Sequence, residues 1–508
     1  MGSLRLAGLT AAVVLLAPST ALAADAEVTS DTAAQFYDVR SPTGENILNR
    51  RRLTTTLAVS AYDLLDTPVG DPSAPDLSFR ARVRYDADYG ISGGATDPTN
   101  FGSFVPGLSQ GGVDLMYAYV EGRRFLHGWL GFRIGRQYVT DALGWWSFDG
   151  AQVTATTPMF FKVEGYGGFE QRGGMPLSSA RFEGEGVWRG DRSNMDPSLA
   201  PAFQSASIAP AFGAAIESTG VTWIHGRLTY RRVYDTGASN VTEFAGATYA
   251  PAVYDGGRIS SERIGYSMDA NLATLGGVKA GVVYDFYNAE MTNLYATVDA
   301  YAGKKVTLSA DYDYYVPTYD ADSIWNFFAG EPMSDLGVRA NVNVTDRLSV
   351  AGGGHVRISD VQTGPLDPGS GTAYSPYPNY AANQSIYPTN GHPFDEGGNL
   401  SARWHTGETR MTLRGSGNWG AEGDRVGADI AAEHVFETRY VASLRTGVWQ
   451  WDDKLEPDRS TTSFNYVLGL GYRFTQRSRA LIEWEHDMNG LVGQRFRLML
   501  WLTVAVTK

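Results

Sequence analysis

Cysteine is absent from the 508 residues. Its absence removes any disulfide framework and any N-terminal cysteine for lipid attachment, and leaves a chain that an oxidising compartment tolerates. Beyond residue 23 there is also no uninterrupted apolar run of about 18 residues, which excludes a helical inner-membrane protein. Positive charge is in short supply: 42 Lys and Arg stand against 55 Asp and Glu, a net charge of −13. A nucleic-acid partner, which needs a basic surface, is not expected. Low-complexity linkers and fixed-period repeats are missing too, so a propeller or solenoid is excluded and a single domain over residues 24–508 is the simplest organisation. The seven His are scattered. None lies beside a Ser or a paired Asp at a catalytic spacing, so neither an enzyme nor a cofactor is expected.

What is present begins with a leader. Arg5 precedes a short apolar run over residues 6–17, and Ala21 and Ala23 give the small-residue spacing that a signal peptidase reads. A membrane anchor would need about 20 apolar residues, and this run is soon followed by Ala24-Asp25-Ala26-Glu27. Cleavage after Ala23 and export are expected. Glycine (59 residues) and aromatic residues are plentiful, with Tyr (28) ahead of Phe (22) and Trp (12), which favours strands and interfacial side chains.

The decisive pattern is period-two alternation along most of the chain. Leu77, Phe79, Ala81, Val83 and Tyr85 alternate with Ser78, Arg80, Arg82, Arg84 and Asp86. Successive strand side chains point to opposite faces, so one face is apolar and the other carries three arginines. The same alternation recurs over residues 263–272, 278–286, 306–314, 336–344, 348–358, 464–474 and 496–504. Runs of about 10 to 13 residues match a tilted strand crossing a bilayer, whereas strands of soluble sandwiches are nearer 5 to 6.

Connections alternate in length. Short ones stand at residues 275–277, 345–347, 407–408 and 475–478, and long ones at 171–204, 235–260, 317–334 and 360–397. Short turns on one rim and long loops on the other are the grammar of outer-membrane barrels. The fold expected is therefore all-β: a large antiparallel transmembrane barrel of about 18–22 strands in the outer membrane of a Gram-negative bacterium. Phe36-Tyr37-Asp38-Val39-Arg40 reads either as a short first strand or, with the rest of residues 24–47, as a periplasmic segment before residues 53–61 start the barrel. A barrel of this size leaves an aqueous passage. No plug-sized domain precedes the first strands, so any obstruction must come from a loop folding inward.

One local motif, Phe132-Arg133-Ile134-Gly135-Arg136-Gln137 followed after a loop by Phe148-Asp149-Gly150, resembles the porin-like outer-membrane barrels, including the alginate-export type. The resemblance implies a strand-borne arginine facing a charged pore; alternation turns Arg133 inward, with Arg136 near the strand end. The competing explanation is that Gly135 and Gly150 only permit close backbone approach. The chain departs from that family in ending Val504-Ala505-Val506-Thr507-Lys508 without a terminal aromatic residue.

The inward face carries the functional expectation. Arg80, Arg82, Arg84 and Arg133 form an early basic sector, which closure of the ring would extend with Arg495 and Arg497. An acidic run follows at Asp269, Asp285, Asp299, Asp311 and Asp313, and basic residues return at Arg339, Arg357, Arg403, Arg410 and Arg414. Segregated charge across a water-filled pore orders water and selects ionic or dipolar solutes. Glu483 and Glu485 beside Arg495 and Arg497 read instead as plain neutralising pairs. Asp320, Asp322 and Ser323 are a weak Ca²⁺-loop candidate. Tyr374, Tyr377, Tyr380 and Tyr387 could stack on sugars or lipopolysaccharide, but loop packing is the preferred explanation for such amphipathic rings. The primary expectation is a channel for small hydrophilic solutes in contact with membrane lipids and lipopolysaccharide. The alternatives are a polysaccharide exit working with a periplasmic partner, and a surface adhesin or scaffold.

Overall fold

The computed structural model describes residues 25–65, 71, 74–88, 112–171, 209–235, 239–245, 248–254, 258–286, 289–316, 332–359, 394–420, 423–454 and 457–507. Its strands, in chain order, are β1 (Ala26–Arg40), β2 (Asn46–Ala61), β3 (Asp76–Asp88), β4 (Gly112–Arg124), β5 (Leu130–Asp141), β6 (Gly144–Thr156), β7 (Phe161–Glu170), β8 (Pro210–Ser218) and β9 (Ile224–Asp235). The chain continues through β10 (Ser239–Ala245), β11 (Thr248–Tyr254), β12 (Arg258–Asn271), β13 (Gly276–Asp285), β14 (Glu290–Ala302), β15 (Val306–Tyr315), β16 (Met333–Thr345), β17 (Leu348–Ser359) and β18 (Phe394–His405). It ends with β19 (Thr409–Trp419), β20 (Gly423–Phe436), β21 (Tyr440–Asp453), β22 (Thr461–Arg473), β23 (Arg479–Asn489) and β24 (Gly493–Thr507).

Twenty-two of these strands pair antiparallel, each with its neighbour in sequence, and β1 closes the ring against β24 from Glu27↔Thr507 to Arg40↔Gln494. Closure leaves no strand of the ring with only one neighbour. The exception to simple order is β10–β11, a separate hairpin inserted between β9 and β12, which pair with each other. The start of β1 and the end of β24 lie at one rim, hereafter the terminal rim. The connections β12–β13, β14–β15, β16–β17, β18–β19, β20–β21 and β22–β23 turn there within two to five residues. The longer connections β3–β4, β7–β8, β9–β12, β15–β16 and β17–β18 all fall at the far rim.

Alternation sorts the side chains as the pleat requires. Large apolar residues such as Leu308, Val338, Leu400, Leu413 and Leu468 stand exposed on the outside. Their cross-strand neighbours continue the belt, as in Leu308↔Ala340, Leu400↔Gly415 and Leu444↔Leu468. An apolar belt around a whole barrel has hydrocarbon as its solvent, because water would drive such a surface to aggregate. At the N-terminus the structure resolves the two alternatives in favour of a strand, and a longer one than expected. All 15 residues of β1 pair with β2 and 14 of them, from Glu27 to Arg40, pair with β24; Val28, Ala34 and Phe36 share the outer row, which Ser30 and Thr32 interrupt and so obscure in the sequence.

Candidate functional site

The β5–β6 hairpin does not stay in the wall. β4 pairs with β5 only from Ala118↔Arg136 to Gly122↔Phe132, and β6 pairs with β7 only from Phe148↔Glu170 downward. Beyond those points β5 and β6 pair only with each other, up to Asp141↔Gly144. The tip turns into the lumen and lies on the inner face of β9 and β12. Arg231 Nη2 donates to the Leu143 carbonyl at 3.2 Å. A Cβ on Gly265 would sit 2.8 Å from Leu143 Cδ2 and 3.0 Å from Ala142 Cβ, so any larger residue there would push on the tip.

Behind the tip is the one apolar core inside the ring among the described residues: Val139, Trp146, Phe148, Tyr166, Ala209, Ala211 and Val233. Trp146 stacks on Phe148 with centroids 4.5 Å apart and donates Nε1–H to Glu170 Oε1 at 2.7 Å. Arg231 covers the other side of the indole at 5.1 Å. Each fully buried large side chain contributes about 1.5–3 kcal/mol, and a desolvated cation–π contact about 2 more. Those terms hold the hairpin down.

The motif picked out in the sequence is the hinge of this hairpin. Gly135↔Gly150, Arg136↔Asp149 and Gln137↔Phe148 are direct cross-strand pairs. Gly135 has φ +129° and, with Gly150 and Gly168, forms a row in which a Cβ would collide with the neighbouring backbone. That row lets β5 and β6 leave the wall together. Arg136 grips Asp149 through two bonds of 2.7 and 2.8 Å and donates a third, 2.9 Å, to the Leu115 carbonyl of β4. This satisfies a β4 acceptor just beyond the last β4–β5 pair. Gln137, almost fully buried, donates to the carbonyls of Arg133 and Gly150 from the inner side. Two expectations are corrected here. The stretch between Gln137 and Phe148 is paired strand, not loop, and Arg136 lies mid-strand on the outer face alongside the exposed Ile134, not near a strand end.

Terminal-rimward of the hairpin, the same sector carries a dense charge cluster. Arg227 contacts Glu164 and Glu217 at 2.6 Å each, Lys162 reaches Glu217 at 2.7 Å and Glu164 at 3.1 Å, and His225 meets Glu217 at 2.9 Å. Only His225 had a signal in the sequence, as a scattered His. The pairing links β7, β8 and β9 across two strand gaps, which alternation alone cannot specify.

Register places the expected lining residues on the inner face, in three environments. In the basic sector, Arg80 lies 5.4 Å over the Tyr62 ring, and Arg133 contacts Glu121 at 3.0 Å beneath Tyr119. Arg82 reaches Asp31 at 3.1 Å and Thr56 at 2.9 Å, so a carboxylate two strands away relieves the repulsion along the ladder; Arg84 is buried. Arg495 and Arg497 do not join this sector. They stand opposite Val39 and Tyr37, whereas the row of Arg84 runs through Thr56 and Asp31 to Thr503, six residues further along β24. They bind Glu485, and Arg495 also binds Asp487 at 2.6 Å. Glu483 turns the other way, to Arg445 at 2.9 Å.

In the acidic arc Asp285 is buried against Arg263 at 2.8 Å, Asp269 faces His225 at 3.4 Å, and Asp299 accepts from Ser309 at 2.6 Å. Asp313 stands directly opposite Asp335, and Asp311 opposite Gly337. In the second basic arc Arg357 binds Asp335 and Arg414 binds Asp429, both at 3.0 Å. Arg339 faces Ser309 and Gly353, and Arg403 faces Ser349 and Thr412. Arg410 lines a cavity of about 580 Å³ near the terminal rim with Glu433, Arg445, Arg473, Arg479 and Glu483. Asp320, Asp322 and the tyrosines at 374, 377, 380 and 387 lie outside the described residues, as does the leader. No group of three or more potential metal ligands occurs among the described residues.

No protein-family model and no curated protein matches the chain. Among solved structures it is similar to crystal structures of Acinetobacter baumannii OccAB4 (9% identity, 96% of this chain and 98% of that chain, TM-score 0.43) and of the outer membrane protein opdK from Pseudomonas aeruginosa (9%, 95% and 99%, 0.41). A third is Pseudomonas aeruginosa OccK7 (OpdD), at 8% identity, 95% and 99% coverage and a TM-score of 0.41. Similarity at this level carries no weight for the function of this chain, which has to come from its own lumen.

Proposed function

We propose that the chain is a porin-like channel of a bacterial outer membrane, reached after export by the leader at residues 1–23, that passes small hydrophilic or charged solutes. The observation that carries this reading is a closed 22-strand ring whose inner face bears ionised side chains in place of a packed core, except where the β5–β6 hairpin folds in. Eight-stranded barrels fill their interior with side chains, whereas rings this large leave an aqueous passage. The hairpin narrows that passage from one side. Arg80, Arg82, Arg84 and Arg133 on one arc, and the aspartates from Asp269 to Asp313 on another, supply opposed charge along the path. Solutes carrying separated positive and negative groups fit such a transverse field best.

Planar-bilayer recording of the purified protein tests the reading. A steady, ion-selective conductance is expected; a silent bilayer would overturn it in favour of a scaffold barrel or an exporter that opens only with a partner. Replacing Arg80, Arg82 and Arg84 together by Ala is expected to lower anion preference, and unchanged selectivity would take the ladder out of the conducting path.

A further inference from the structure

Apart from the longer β2–β3 connection, the turns at the terminal rim fall into two chemically distinct arcs. Four successive ones, at residues 125–129, 157–160, 219–223 and 272–275, carry Leu126, Trp129, Met159, Phe160, Trp223 and Leu275. Leu126, Met159 and Leu275 are 70%, 74% and 72% exposed. The five turns that follow, at 303–305, 346–347, 406–408, 437–439 and 474–478, carry Lys304, Lys305, Asp346, Arg347, Glu437 and Arg439, with Phe474 their one exposed ring. Water would sort the turns of one rim alike, so the split calls for two different environments.

The aromatic boundary shifts with it. On the charged arc most of the outermost exposed rings still belong to strands, Trp404 on β18, Phe436 on β20 and Tyr440 on β21, and one turn carries a ring, Phe474 just past β22. On the apolar arc the rings have moved off the strands into the turns, as Trp129, Phe160 and Trp223. Phe160 and Leu126 hold left-handed backbones, with φ +66° and +50°. Glu437 and Thr438 on the charged arc hold it too, with φ +47° and +62°, so it belongs to tight turns of both arcs. Two strands of the apolar arc are also short. β7 and β8 have 10 and 9 residues; at about 3.3 Å per residue and a tilt near 40° they rise about 23–25 Å, no more than the apolar belt itself. Without the turns, this side of the barrel has no margin.

We infer that the four apolar turns insert into the adjoining lipid leaflet, so that the barrel sits unevenly, deeper on the β4–β13 side than on the β14–β23 side. This rests on the barrel spanning a membrane. The partner is the lipid surface itself, because the patch runs on without a break from the lipid-facing strands (Phe161, Val163 and Leu228 stand exposed just above it) and aromatic rings mark where hydrocarbon meets headgroups.

The cysteine-free chain makes the test direct. Single cysteines at Leu126, Met159 and Leu275, at Lys304 and Thr438, and at the mid-strand positions Leu413 and Leu468 are spin-labelled on the full chain in phosphatidylethanolamine–phosphatidylglycerol vesicles. Collision with oxygen, which concentrates in lipid, is compared with collision with a water-soluble nickel chelate. The apolar turns are expected to resemble Leu413 and Leu468, favouring oxygen several-fold, with Lys304 and Thr438 reversed. Turn labels that behave like Lys304 overturn the inference. So do turn labels shielded from both reagents, which would mean that protein, a second copy or a partner, covers the patch. Loss of oxygen preference at Leu413 and Leu468 would overturn the membrane reading along with it. If a turn cysteine impairs assembly, Val221→Cys reads the same surface.

Discussion

The two halves of the ring solve different problems. From β5 to β13 the wall supports a second layer: the folded-in hairpin, a stacked Trp146–Phe148 pair and a five-membered charge cluster around Arg227. From β14 to β24 the described residues form a single wall, and ion pairs such as Arg357–Asp335 and Arg414–Asp429 stay open to solvent, with burial of paired charges confined to Glu483 and Glu485 on β23. The same residue types therefore differ in value by position. A buried charge stripped of its partner costs about 3–5 kcal/mol, while an exposed pair is worth roughly 0–1.

Mutations can break or sharpen that contrast. The largest effect is expected at Trp146→Ala, about 3–5 kcal/mol from the cavity alone. With its main anchor gone the hairpin should also release, so single-channel conductance should rise; a destabilised barrel with unchanged conductance would show that the hairpin is not the narrowing element. Arg227→Ala should cost a similar 3–5 kcal/mol, because Glu164 and Glu217 would be left with Lys162 and His225, and thermal unfolding in detergent reads it. Arg136→Gln removes the grip on Asp149 and Leu115 for about 1–3 kcal/mol. Its clearer signature should be current flicker from a loosened hinge, and a quiet channel would assign the hairpin's position to the packed rings alone. Smallest is Arg414→Ala, within about 1 kcal/mol on unfolding. A larger loss there would erase the distinction between the two halves.

The contrast also explains what could be read from the sequence. In β15 to β17 one face meets hydrocarbon and the other water, so Leu308, Ala310 and Tyr312 alternate with Ser309 and Asp311 and the strands announce themselves. In β6 the run Gly144-Trp145-Trp146-Ser147-Phe148 breaks the alternation, because Trp146 and Phe148 face a packed interior and Ser147 is buried as well. Alternation sorts residues onto two faces, placing Arg133 and Asp285 opposite the apolar one. It says nothing about height along the strand, which is why Arg497 lands opposite Tyr37 and not in the row of Arg84. Nor does it show that a hairpin bends inward. That depends on Gly135, Gly150 and Gly168 aligning across three strands, a coincidence that only register reveals.

The seam between β1 and β24 fixes the order of assembly. Every other pairing in the ring joins strands adjacent in sequence or separated by one inserted hairpin, so each can form as the chain is delivered. The seam alone joins residue 27 to residue 507. Bringing such distant segments together costs about 5 kcal/mol in chain entropy, and no partial seam is rewarded until β24 has been made. Sheet formation can thus proceed hairpin by hairpin, but the ring has one rate-defining closure. Until then both β1 and β24 present open edges to any other strand, so the two ends of the barrel stay exposed to mispairing longest.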